Sequence, residues 1–486
     1  MRIGFYLGIA ITTGLLAATT VPSMTLGDEP PSQGPPSQGD DRPPPIRLSI
    51  HPAGEPRPAL RYRLLPTLID LRPGNAAVFY NKAALMWQQQ ADAKNDAQRA
   101  SEWADMPLDK LPRAEMAVVV SRWGSVLQEV ELATLREECD WQMPVRERIP
   151  YSIMLPELQE LRNIARLLAA KARLGIAEGR YDDAVASLRM GYAVARHAAR
   201  GPTLIHALVG IAIANIMTNQ IRELSQQPDA PNLYWAFAVL PRPFIDLDRA
   251  YDYEADSIYF WHPEWREMER EGRGPAEWRR AYDQLVDAMN EIDTRESSQE
   301  HRVAVLIRAI KDYSRAKQWL VDHGRSPEAV ELMTVQQVVV LYTFGTYNDL
   351  RDQMFKWSRL PYREVHEQLA AAERFHEQSA RRREIVPLAH WLLPAIQAAM
   401  HAQTRNEQVF ALSRTIEALR LYAAGHDGRL PKQLADITEA PVPDDPWTGL
   451  PFAYTLSGDT AVLEGTLPPG WSAKFFDVRY QITVAR

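Results

Sequence analysis

From Tyr62 to about Tyr422, apolar residues return every three or four positions, and that periodicity constrains the fold more than any other feature of the chain. Apolar residues so spaced line one side of an α-helix, and a second element has to cover them. Ala, Leu, Arg, Glu and Gln, all strong helix formers, fill most of the remaining positions. Proline, which lacks the amide proton a helix interior needs, punctuates the run at Pro107, Pro112, Pro144, Pro150, Pro156, Pro228, Pro231, Pro241, Pro243, Pro263, Pro361, Pro387 and Pro394. "GRSPEAVELM" predicts a helix start, with Ser326 as the cap and Pro327 in the first turn. Leu360-Pro361 ends one helix and opens another that continues through "YREVHEQLAAAERFHEQSARRR". The expected fold is mainly α: an irregular α-solenoid of helical hairpins over residues 59–422, with a small C-terminal β appendage.

Both ends depart from the helical pattern. "MRIGFYLGIAITTGLLAATTVPSMTLGDEP" has a basic residue, an uncharged apolar run from Ile3 to Val21, and then small residues. That order predicts a signal peptide over 1–27 and an exported protein, periplasmic or extracellular, with membrane attachment only if the leader stays uncut. Residues 28–58 hold ten of the 36 prolines and repeat "PPSQG", so they read as a disordered, extended linker. Past Tyr422, "SGD" suits a tight turn between "FAYTL" and "TAVLEG", and Val478, Tyr480, Ile482 and Val484 alternate with more polar neighbours. Residues 423–486 are therefore expected to form a small α/β appendage with antiparallel strands.

A net charge of −7 gives no basic field for nucleic acid. The single Cys139 rules out an internal disulfide and the cysteine-rich zinc sites, and reads as a small buried apolar residue.

"GIAEGRYDDAVASLRMGYAVARHAA" (175–199) resembles the second half of a tetratricopeptide hairpin. Gly179 is placed to end the first helix and Tyr181 to open the second, and Leu168, Ala172, Ala184, Leu188 and Gly191 fall at fitting positions. Gly175, Lys171 and Arg196 depart from the pattern, and 34-residue steps give no second copy. The resemblance implies tetratricopeptide-like hairpins over 157–224 rather than a regular array. "RPGNAAVFYNKA" (72–83), "PDAPNLYWAFAVLPRPFIDLDRAYDYE" (228–254) and "DDPWTGLPFAY" (444–454) resemble segments of exported proteins of planctomycete bacteria, which implies a fold and an address but no activity. "ALRLYAAGHDGRLPKQL" followed by "DPWTGLPFAY" resembles the globular end of major type II secretion pseudopilins. That region can hold a structural calcium, which makes Asp444, Asp445 and Asp459 the metal candidates here. Thr448 interrupts the motif and no pseudopilin helix is joined to this module, so filament assembly is not implied.

Other candidates are weaker as chemistry. Glu373-x-x-His376, with His366 two turns earlier, has the spacing of a helical di-metal ligand pair, but the second Glu-x-x-His such a centre needs is missing. Asp248, Asp252 and Asp256 stack along one helical face, and acids near a helix start favour its dipole. His197 and His206 sit among apolar neighbours and read as core histidines. "YFWHPEW" (259–265) places Tyr259, Trp261 and Trp265 around a proline break, either as a platform for sugars or a peptide or as helix packing. No catalytic motif stands out and no catalytic or cofactor-binding residue is assigned. The expected function is an exported, non-catalytic helical scaffold that binds a protein or a cell-envelope component. The alternatives are an envelope hydrolase acting on glycan, with Asp252 or Glu254 as its acid, and an accessory of a secretion system.

Overall fold

The structure is a computed structural model describing residues 44–146, 155–268, 272–292, 298–382, 385–386, 388–393, 396–467 and 478–485. The leader and residues 28–43 of the expected linker lie outside the described residues. In chain order the first elements are β1 (Ile46–Ile50), β2 (Arg72–Asn75), α1 (Ala76–Gln88), α2 (Ala93–Asp105), α3 (Arg113–Arg122), α4 (Gly124–Thr134) and β3 (Arg136–Glu138). Then come α5 (Pro156–Ala177), α6 (Tyr181–Ala198), α7 (Leu204–Ser225) and α8 (Tyr234–Ala238). A helical run follows: α9 (Asp248–Trp261), α10 (Pro275–Ile292), α11 (Ser298–Asp322), α12 (Pro327–Glu331), α13 (Val335–Phe355), α14 (Tyr362–Arg382), α15 (Leu388–Leu392) and α16 (Ile396–Gly425). Strands β4 (Ala453–Ser457), β5 (Thr460–Glu464) and β6 (Arg479–Val484) complete the chain. The molecule is mainly helical with a small sheet, as the periodicity predicts. Ser326 caps α12 by accepting the Ala329 amide, with Pro327 in the first turn.

The expected single helical body is instead two compact units. One contains residues 143–146 and 248–400, and its regular elements among the described residues are all helices; the other contains residues 44–142, 155–247 and 401–485. The chain enters and leaves the second unit more than once, which a linear division at 59, 422 and 423 cannot represent.

Within the larger unit α5 and α6 pack as a helical hairpin. Gly179, at φ +71°, closes α5, with Arg180 N–H returning to Gly175 O at 2.8 Å and Gly179 N–H to Ile176 O at 3.1 Å. That is the paired hydrogen-bond pattern by which a left-handed glycine ends a helix. α7 packs on both helices of the hairpin. At its crossing with α6, a Cβ on Gly210 would stand 2.6 Å from the backbone oxygen of Ala195, so only glycine lets the two backbones approach this closely. Among the described residues α7 is the one helix long and apolar enough to cross a membrane; 78% of its most apolar stretch is buried within the fold, as in a core helix.

The sheet has the order β1-β6-β5-β4, with β4, β5 and β6 antiparallel and β1 parallel to β6. Ser457 pairs with Thr460 across the predicted turn, and Val478, Tyr480 and Ile482 are buried in the predicted alternation. Strand β1 corrects the reading of 28–58 as a linker throughout: Ile46–Ile50 is a strand, and Leu48 and Ile50 face inward. Leu48, Ile50, Phe452, Leu463, Tyr480 and Ile482 share one core with Leu412, Ile416 and Leu419 of α16 and with Tyr234 of α8.

A buried ion pair ties that core together. Arg420, fully buried, donates from Nη1 to both carboxylate oxygens of Glu417 at 3.0 and 2.9 Å. Nη1 also reaches the carbonyl oxygen of Pro231, while Nε and Nη2 reach those of His51 and Ala230. Glu417 in turn accepts the Leu233 amide at 2.7 Å, and its own carbonyl accepts from Asn232 Nδ2. Every donor of the guanidinium fork that these contacts use meets an oxygen, which is the condition for burying a charge without a large penalty.

Candidate functional site

The last turn of α9 and the short 3-10 turn Pro263–Glu267 that follows it shape an open cleft of about 260 Å³. It is lined by Arg146, Asp256, Tyr259, Phe260, Trp261, Pro263 and Arg266, all in the helical unit. The local sequence dictates the shape. Pro263 cannot continue α9, so the chain turns at His262 and brings Trp265 back beneath the helix end. Trp265 is buried, with His262 stacked on it at 3.9 Å and Phe344 meeting it edge-on at 5.1 Å.

Of the predicted platform, then, Trp265 is the foundation and not the face. Trp261 is half-buried and lines the cleft beside Phe260, which is itself stacked on Tyr253. Tyr259 is largely buried and donates its hydroxyl to Asn348 Oδ1. Burial raises its phenol pKa, opposed by the Arg351 guanidinium over the ring, so it is a neutral wall. Arg146 sets its guanidinium over Phe260 at 5.5 Å. Arg266 reaches Asp256 Oδ2 at 3.2 Å, and both of those side chains are substantially exposed. Ring faces thus sit beside two exposed guanidinium groups, of which Arg266 is paired with a carboxylate. That combination takes a flat or apolar group carrying an anion, since a guanidinium offers a carboxylate two parallel hydrogen bonds.

The acid row does not converge on this cleft. Asp248 and Asp252 are exposed and both engage Arg359 of the α13–α14 connection. Asp256 alone of the row lines the cleft, and Glu254 is half-buried on α9 outside the lining. The described lining therefore offers one carboxylate, whereas glycoside hydrolysis uses two across the scissile bond.

The three acids proposed for calcium are used differently from one another. Asp445 is buried and caps its own loop: it accepts the amides of Trp447 at 3.0 Å and Thr466 at 2.7 Å, and both its oxygens lie within 3.2 Å of Gln408 Nε2. Asp444 is exposed beside a bridge to Pro451, and Asp459 is exposed at the tip of the β4–β5 turn. The structure does not bring the three together, and among the described residues no group of three His, Cys, Asp or Glu side chains is arranged to hold a metal. Glu373 accepts the Gln397 amide at 3.0 Å at the start of α16; the side chain of His376 lies outside the described residues, and His366 is half-buried on α14 against Tyr362.

His197 and His206 are buried core residues. His197 shares a 2.9 Å hydrogen bond with Tyr80 and its carbonyl accepts from Trp141 Nε1. Burial, with Arg200 and Arg196 adding repulsion, pushes the His197 imidazole down to about 3. His206 Nδ1 lies 2.8 Å from Thr203 Oγ1. Cys139 is buried and its thiol is pushed up to about 12 by desolvation, which makes it a poor nucleophile.

No protein family, curated protein or solved structure matches the chain. Sequence reasoning found Tyr259, Trp261 and Trp265 but missed Arg146, Phe260 and Arg266. Arg266 and Phe260 stand within or beside the aromatic segment and were legible there. Nothing in the sequence connects Arg146, more than a hundred residues upstream, to that segment.

Proposed function

We propose that this chain is an exported, non-catalytic binding protein of the cell envelope whose recognition site is the cleft at the end of α9. The single supporting observation is the composition of the cleft: Phe260 and Trp261 beside the Arg146 and Arg266 guanidinium groups, with one carboxylate that already accepts from Arg266. Rings of this kind cover the apolar face of a sugar or peptide side chain, and the guanidinium groups read an acid attached to it. The ligand class is accordingly a carboxylate-bearing envelope component, an acidic sugar or an acidic peptide. The charge and apolar order of residues 1–27 supports export.

Calorimetric titration of the full chain with uronic-acid oligosaccharides, acidic peptides and their neutral counterparts tests the reading. Binding of the acid form, weakened about tenfold or more by Arg146→Ala and by Trp261→Ala, is the expected result. Equal affinity for the neutral counterparts overturns the charge recognition. Release of reducing ends from an envelope glycan overturns the non-catalytic reading in favour of a hydrolase.

A further inference from the structure

Helix α11 carries two apolar faces. One is buried, through His301, Val305, Ala309, Ala316 and Leu320, and packs on α10 and α13. The other points into solvent. Val303, Leu306, Ile307 and Ile310 follow the i, i+3, i+4, i+7 spacing of a single helical stripe, and they are 49%, 52%, 60% and 73% exposed. Isolated exposed aliphatics are ordinary on a protein surface, but a contiguous stripe opposite an already buried face indicates a partner.

The charges along the helix say which partner. On a 100° per residue projection Lys311 lies beside the stripe and Arg308 further round the same flank, and both are exposed. Neither makes an ion pair among the described residues. The other bases of the helix are engaged: Arg302 with Asp283 and Asp287, Arg315 with Asp312, and Lys317 with Glu331. Its acids are Glu300 at the start, Asp312 in the Arg315 pair and Asp322 at the end, so the middle of the stripe faces no exposed acid of its own helix. Aliphatics bordered by uncompensated cations fit a negatively charged bilayer surface, where the stripe enters the acyl boundary and the long basic side chains reach back to the headgroups. A second copy of the helix laid on the stripe would instead bring the same free cations together.

We propose that α11 docks this protein, by Val303, Leu306, Ile307 and Ile310, onto anionic lipid, independently of the leader and of the α9 cleft. Cys139 is the one cysteine in the sequence and is buried, so Ile310→Cys provides a single accessible thiol for an environment-sensitive fluorophore. The full chain so labelled is mixed with vesicles of phosphatidylglycerol and phosphatidylcholine in equal parts, and with vesicles of phosphatidylcholine alone. The expected result is a blue shift with the anionic vesicles only. The same label on Asp109→Cys should not shift, because the leader can bring the chain to a bilayer without burying either position. Charge reversal by Lys311→Glu and Arg308→Glu should weaken the response roughly fivefold for each charge. Ile307→Ser, at an exposed position that leaves the melting temperature unchanged, should weaken it about tenfold. No shift at Ile310→Cys, or an equal shift on both vesicle types, overturns the proposal. So does a shift that needs no vesicles and grows with protein concentration, the mark of self-association through the stripe.

Discussion

The two units of this molecule differ in whether they bury charge: among the described residues, the buried Asp, Glu and Arg side chains all lie in the unit that holds the sheet. There Arg420 and Glu417 are buried together, and Asp96, equally buried, accepts at Oδ2 from Arg122 and from Trp123 Nε1. Its tryptophans are packed, as in the Trp87–Trp123 stack at 3.9 Å. In the helical unit the ion pairs stand in water, as Arg359 does between Asp248 and Asp252, while aliphatic residues of α11 face outward. The contrast separates what holds the fold from what is available to a partner. A charge that organises a core is held by partners inside the protein, as Arg420 is; a charge that can serve recognition stays at the surface.

The largest test of that contrast is Glu417→Ala. It leaves the Arg420 guanidinium buried without its counter-ion and releases the Leu233 amide, and should cost about 3–5 kcal/mol in chemical denaturation of the full chain. A cost below about 1 kcal/mol would show that the pair does not organise the core.

Acid provides a second, smaller test. His197, held down to about 3, and His401, lowered by burial to about 4, are neutral in the fold but take up a proton in the unfolded chain near 6.5. Their folded pKa values are depressed, so the stability they contribute is complete above 6.5 and is lost as pH falls towards those values. Each should remove up to about 1.4 kcal/mol per pH unit in that window. Denaturation midpoints measured across it should fall with pH, and His197→Gln should flatten the slope even though it lowers stability at neutral pH. An unchanged slope would show that His197 protonates in the fold.

The smallest expected effect belongs to the other unit. Asp252→Asn removes one arm of an exposed pair that Arg359 also makes with Asp248, and should change stability by less than about 1 kcal/mol. A larger loss, read in the same denaturation experiment, would place that cluster among the structural charges and erase the distinction between the units.

Much of this architecture can be read in the residues. The Ser326 cap, the α5–α6 hairpin with its glycine stop, and the β4–β5 turn all depend on neighbours a few positions apart, and local spacing reports them well. Strand β1 shows where that information ends. Ile46, Leu48 and Ile50 do alternate with Arg47 and Ser49, the period of a half-buried strand, but the prolines around them outweigh five residues of pattern. Their partner, β6, lies at the opposite end of the chain, and no local signal announces a pairing of that range. The cleft divides in the same way. "YFWHPEW" marks the place, yet which ring is face and which is foundation depends on Phe344 beneath, and the cation above Phe260 comes from Arg146. The calcium candidates illustrate the converse: Asp444 and Asp445 are adjacent in sequence, but one is turned out and the other is consumed by loop amides and Gln408.

The parallel pairing of β1 with β6 also sets an order of events for a chain delivered from its N-terminus. Ile46 is registered against Tyr480 and Ile50 against Val484, so β1 waits for a segment 434 residues further along before its edge is satisfied. Contacts that distant in sequence slow folding, because the intervening chain must be closed into a loop first. Until β6 has been made, the backbone edge of β1 that it pairs with is open to any other extended chain.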